Sequence, residues 1–303
     1  MRFRIVVRIL LGLFIAFSFA VPSFAEEKIE GEINWVDGYI TAIGHGASVK
    51  GSLAQARPLA RRAAIVDAQR NLLEIIKGVK IDSQTTVENF MVTQDIIKVH
   101  VSGVVKGASI SKAVEYQMQP DGSLGATVEM RICVNQCKGN ANSLVQALSL
   151  DKKDNAKLPP ALPENLTVPA APAIPPKGSK VYTYDSTKPV TGIILNLDGR
   201  MYERVILPVV VTTGEDKNLF TVYSAKSVKP NVIRVHGVVR YADTVDNAKK
   251  NEYAGNNVMV IPVADINKEN LIIIKMESAK TVQETLRNGN DYLGDAKVFI
   301  VAQ

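Results

Sequence analysis

Gly44-His45-Gly46 is the densest candidate for chemistry in this chain of 303 residues. Glycines between a strand and a helix can let backbone amides approach an anion, as phosphate and dinucleotide loops do. The comparison stops there, because a third glycine at the required offset is missing and no Walker lysine with its hydroxyl neighbour follows. Two glycines at a strand-to-helix turn account for the segment better. His45, His100 and His236 are the only histidines, widely separated and without carboxylates at ligand spacing, so the sequence offers no metal set and no paired base. No Gly-x-Ser-x-Gly elbow occurs. The reading is of a protein that is not an enzyme, with no catalytic residue, cofactor or metal to nominate.

Cys133 and Cys137 are the only thiols. Their C-x-x-x-C spacing departs from the redox C-x-x-C, and two sulfurs without a nearby histidine make an incomplete zinc site. In an oxidising compartment the simplest reading is a disulfide. Val134-Asn135-Gln136 must then turn tightly, since an extended strand holds the two Cα atoms too far apart. Closing so short a loop stabilises a fold by about 2 kcal/mol.

That compartment is indicated by residues 1–25. Arg2 and Arg4 form a basic start, Ile9 to Val21 an apolar core, and Ser23-Phe24-Ala25 a small-x-small cleavage site. Arg8 shortens the apolar run below the roughly 18 residues of a spanning helix, so cleavage before Glu26 is expected rather than a retained anchor. No cysteine follows the cleavage site to carry an acyl chain. Arg2, Arg4 and Arg8 leave with the signal and take no acid with them, which moves the formal charge from +6 to +3. A nearly balanced, exported chain with one tryptophan lacks the basic face and aromatic platforms of a nucleic-acid binder.

The elements that would position any surface chemistry fall into two domains. Residues 151–180 form a linker, because Lys157 to Pro176 holds seven of the fourteen prolines; proline fixes φ and removes a donor, so such a run favours extended polyproline II. Domains are expected over 26–150 and 181–303. In the first, Trp35 and Tyr39 to Ile43 read as strand. A helix follows from about Leu53 to Lys77, with Ala64, Ile65, Ala68, Leu72, Ile75 and Ile76 at helical spacing and Gly78 as stop. The alanines at 60, 63, 64 and 68 leave little bulk mid-helix, which lets a sheet approach closely. Asp67 either pairs with Arg70 or faces water. Arg61 and Arg62 are the candidate interface residues on the helix's outer side. Val87 to Ile97 suggests a shorter helix, and Ala108 to Met118 with Ser123 to Cys133 two strands around Gln119-Pro120-Asp121-Gly122. That order predicts an α+β layer with a helix across an antiparallel sheet. In the second domain, strands are expected at 181–184, 192–197, 205–211, 219–222, 232–240, 258–263, 271–275 and 298–301, and helices near 241–250 and 278–288, giving a second, strand-rich α+β domain.

Gly38-Tyr39-Ile40, Ala42-Ile43-Gly44-His45-Gly46, Ala63-Ala64-x-x-Asp67-Ala68-x-Arg70-Asn71-Leu72-Leu73-Glu74, Gly78-Val79 and Val101-x-Gly103-x-Val105-x-Gly107-Ala108 together resemble the LPP-twenty surface-lipoprotein family. The same module is similar to the amino-terminal domain of flagellar assembly protein T and to flagellar outer-membrane protein P. Thr191 to Ile194 through Asp198-Gly199, with Gly237 to Ala242, resembles a region found after this module in exported bacterial proteins. The resemblance implies an envelope protein of Gram-negative bacteria, periplasmic or envelope-associated, with a structural, assembly or interaction role, in some members around the flagellar motor. Expected partners are copies of itself or other envelope proteins. The alternative is a periplasmic module that binds a small ligand or glycan.

Overall fold

The computed structural model describes residues 29–48, 52–135, 142–150, 158–163, 184–287 and 289–302. The expected signal, Cys137, most of the linker and all but Tyr184 of the strand expected at 181–184 lie outside these residues.

The first layer starts with β1 (Gly31–Asn34), which turns through Gly38 at φ +72° into β2 (Tyr39–Ser48). Three helices follow, α1 (Leu53–Gly78), α2 (Val87–Thr93) and α3 (Asp95–Lys106), then β3 (Ser109–Ile110), β4 (Glu115–Met118) and β5 (Leu124–Cys133). The sheet runs β1-β2-β5-β3, with β4 also on β5, and every pair is antiparallel. The β4–β5 hairpin closes at the expected Pro-Asp-Gly turn, with Gly122 at φ +80°. This is the α+β layer the sequence predicts.

Packing explains the alanines. Along α1 the buried residues recur at every fourth position, Ala56, Ala60, Ala64, Ala68, Leu72 and Ile76, while Ile65 and Ile75 are only half-buried. The row of small side chains lies directly over Gly44 and Gly46 of β2. A methyl added at Gly44 would sit 2.6 Å from Ala68 Cα, and one at Gly46 would sit 2.7 Å from Ala63 Cβ. The two glycines that suggested an anion loop are therefore the floor on which the helix rests. The second helix is two, broken at Gln94, and α3 continues to Lys106.

A short α4 (Leu144–Ala147), closed by a Ser143–Gln146 capping box, ends the first domain. The second contains β6 (Gly192–Asn196), β7 (Val210–Thr213), β8 (Leu219–Tyr223), α5 (Pro230–His236), β9 (Arg240–Ala242), α6 (Val245–Lys250), β10 (Val258–Ile266), β11 (Ile272–Ile274), α7 (Met276–Arg287) and β12 (Val298–Val301). Its sheet runs β8-β7-β11-β10-β6-β12-β9 and is mixed. Strand β6 is parallel to β10 and β12, β12 to β9, and β7 to β11, while β10–β11 and β7–β8 are antiparallel. The strand expected at 232–240 is corrected to α5 followed by the short β9. Pro230 stands at the first helical position, and Gly237, at φ +73°, ends the helix.

One hydrophobic core runs through both domains. Ile206 and Leu207 donate backbone hydrogen bonds to the carbonyls of Lys80 and Ile81, at 3.1 and 2.7 Å, and Lys80 pairs with Glu203. The Trp35 ring meets Tyr241 edge-on, centroids 5.4 Å apart. The Tyr241 hydroxyl donates to Val205 O at 2.8 Å and accepts from Val205 N–H at 3.0 Å. Leu158–Pro163 of the linker lies along β8: Thr221 N–H donates to Pro160 O, Leu162 N–H to Thr221 O, and Leu162 is buried.

Candidate interaction surface

Two polar residues of the α1 motif, Asp67 and Asn71, reach the strand. Asp67 Oδ2 accepts the backbone N–H of His45 at 2.9 Å, and Asn71 Nδ2 donates to Ile43 O at 2.7 Å. Both backbone groups lie where β1 has ended: Ile43 N–H still bonds to Glu30 O, and beyond it β2 has no strand partner on that side. Buried or half-buried backbone groups need partners, and α1 supplies them from side chains one turn apart. Asp67 thus has a backbone partner in place of the two expected, Arg70 or water.

Arg61 and Arg62 are both exposed. Adjacent residues of a helix project about 100° apart, so the two do not share a face. Arg62 lines a shallow depression with Leu59, Ala63, Val66, Asp67 and Arg70, in which Leu59 and Val66 stand exposed. On the other flank, Arg57 stacks over Tyr116 at 4.7 Å.

His45 does acquire a carboxylate through the fold. On the sheet face opposite α1, its Nδ1 lies 3.2 Å from Thr127 Oγ1 and its Nε2 3.4 Å from Glu30 Oε2. The sequence misses this because the contacts come from strand register, which pairs His45 with Thr127. The row has the outline of a hydroxyl–imidazole–carboxylate triad but not its environment. His45 and Glu30 are more than half exposed, and the neighbouring backbone of β2 and β5 is committed to their ladder, whereas acyl transfer relies on free donors in a water-excluded site. His45 and Thr127 border a groove of about 540 Å³ that Glu115, Gln117 and Gln119 also line.

His100 is exposed on α3. His236 is half-buried beside Arg240, and burial followed by the Arg240 charge lowers its pKa. Arg240 stacks on Tyr253, 3.5 Å from the ring centroid, and burial lowers its pKa as well. No group of three histidine, cysteine or acidic side chains suited to a metal occurs among the described residues. Cys133 ends β5, buried, and carries no free thiol; Cys137 lies outside the described residues.

Several large apolar side chains stand exposed on the helices. Val92 at the end of α2 is 80% exposed, and Ile96 and Val99 on α3 are 62% and 67% exposed. The arrangement defines a two-domain α+β protein with prominent helical surfaces. Residues 30–130, which span β1 through most of β5, match the model of the LPP20 lipoprotein family, so the first domain is an LPP20 domain. Residues 192–303, from the first residue of β6 onward, match the model of the second domain of Treponema pallidum Tp0624. No curated protein matches the chain. The LPP20 match supports an exported, envelope-associated protein. No helix among the described residues is long and apolar enough to cross a membrane.

Proposed function

We propose that this protein is a structural component of the bacterial envelope that works by binding other protein chains, copies of itself among them. The observation that carries this reading is the surface of its LPP20 domain, where Val92, Ile96 and Val99 stand exposed together on α2 and α3. Large exposed apolar side chains that cluster mark interaction sites more often than scattered ones do. The core that both domains share packs beneath the helices that carry this surface. A position at the flagellar base is the finer form of the reading and is supported by the sequence resemblance. Export further predicts that Cys133 is bridged to Cys137, which intact mass with and without reductant would test.

The experiment is light scattering on the full-length exported protein recovered from its envelope fraction. A discrete oligomer or a complex with an envelope protein is expected. A monomer that binds no envelope component at cellular concentration overturns the proposal. The groove beside His45, Gln117 and Gln119 favours the second reading, a glycan-binding module, because clustered amides and carboxylates suit sugar hydroxyls. A melting shift with cell-wall fragments that Gln117→Ala abolishes would establish it.

A further inference from the structure

The exposed stripe of α3 reads Asp95, Ile96, Val99, Gly103, Lys106, residues that fall on one face at 3.6 per turn. The opposite face, Ile97, Val101, Val104 and Val105, is buried in the core. Three properties of the outer stripe point to one occupant. Its apolar members, Ile96 and Val99, are prominent. Gly103 faces open space, with nothing within 4 Å of where its Cβ would be. The ends carry opposite charges about 16 Å apart, the length of 11 residues of helix, and neither Asp95 nor Lys106 has an ion-pair partner among the described residues.

A stripe that is acidic at one end, basic at the other and apolar between is complementary to itself when inverted. A bilayer surface, by contrast, selects cations along the whole polar margin. We propose that two copies of this chain pair antiparallel through α3 about a two-fold axis that passes between Val99 and Gly103. Each Val99 enters the space over Gly103 of the second copy, and each Asp95 meets Lys106 of the second copy. Glycine at the crossing lets the helix backbones approach closely, and the isologous geometry uses every contact twice. A single helix seam buries less than the 1,200 Å² or so of a standard interface, so micromolar-range association is expected. The inference rests on the self-assembly reading above and gives it a surface.

The test is sedimentation of the full exported protein over about 1 to 100 μM, the range suited to a small interface. Wild type is expected to pass from monomer to dimer. Asp95→Lys and Lys106→Glu should each weaken the dimer about tenfold. An equimolar mixture of these two variants places unlike charges at both ends again and should dimerise at least as tightly as wild type. Gly103→Leu should remain monomeric throughout with an undiminished melting temperature, since the added side chain meets open space in the monomer. Wild type that is monomeric across the range overturns the α3 pairing. A dimer that Gly103→Leu and both charge variants leave intact also overturns it, while the wider assembly reading survives through another surface. A mixture no tighter than its components removes the antiparallel register. Binding of wild type but not Gly103→Leu to anionic phosphatidylglycerol vesicles would assign the patch to lipid and refute self-pairing.

Discussion

Gly44→Ala is the most demanding perturbation of the first domain, because one methyl group is set against a whole helix. The new Cβ would lie 2.6 Å from Ala68 Cα and closer still to Ala68 N and Ala64 O, against ordinary contact from 3.4 Å. Those atoms are backbone, so no side chain can rotate away and α1 must lift from β2 by roughly 1 Å. The helix buries the methyls of Ala60, Ala64 and Ala68 completely and that of Ala56 nearly so, together with Leu72 and Ile76. Such a set contributes on the order of 8 kcal/mol through burial. A gap of about 0.5–1 Å forfeits a quarter to a half of the dispersion contacts, which gives a loss of about 2–4 kcal/mol, a large share of the roughly 5–15 kcal/mol of a typical domain. The assay is urea denaturation followed by the fluorescence of Trp35, the single tryptophan, which sits between the domains against Tyr241. Gly78→Ala is the control, since nothing lies within 4 Å of its added Cβ. A Gly44→Ala loss under about 1 kcal/mol, or one equal to the control, would show that α1 is not seated on these glycines.

Asp67→Ala should raise hydrogen exchange at the His45 amide at a stability cost of about 1 kcal/mol, whereas Asp67→Asn, which keeps an acceptor, should preserve most of the protection; equal exchange in all three proteins would refute the edge-capping role. Asn257→Ala should destabilise the second domain by about 2–3 kcal/mol in thermal unfolding, because its buried amide donates to the carbonyls of Asp185, Lys188 and Pro189 and accepts from Asp185 N–H. The Asp185 carboxyl, held by the Thr187 hydroxyl and N–H and then by Lys188, should titrate by NMR near pH 2 instead of 3.8. Its folded value lies below its unfolded one, so its contribution is present above about pH 4 and is lost as the pH falls through about 2. Thr187→Val should move the midpoint upward, and an unmoved midpoint would refute the assignment.

Much of the first layer was legible because local signals agreed with one another. The alanine spacing and Gly78 bounded α1 to within a residue, and Pro120-Asp121-Gly122 fixed the hairpin. What stayed hidden depends on distant backbone. The partners of Asp67 and Asn71 are main-chain groups of a strand 22 and 28 residues away, and the Lys80–Ile81 contact with Ile206–Leu207 joins segments over a hundred residues apart. The helix expected over Val87 to Ile97 stopped short, because Ile97, Val101, Val104 and Val105 are buried at helical spacing and carry α3 to Lys106. β-Branched residues misled at Val232, Ile233 and Val235, which suggested a strand where Pro230 and Gly237 frame α5. The α+β class survived both errors, because neither changed the layers.

The passage of Leu158–Pro163 along β8 has a practical consequence for dividing the molecule. An outermost strand with unpaired backbone groups is a template on which other chains can aggregate, and proline is suited to blocking it because it lacks a donor with which to extend the ladder. Thr221 has its N–H and C=O occupied by this segment, and its hydroxyl donates to Pro159 O at 2.7 Å. Pro159, Pro160 and Pro163 thus belong structurally to the domain that follows them. A fragment cut at residue 181 would uncover β8 and lose solubility, whereas one that begins before Leu158 would carry its own protective border.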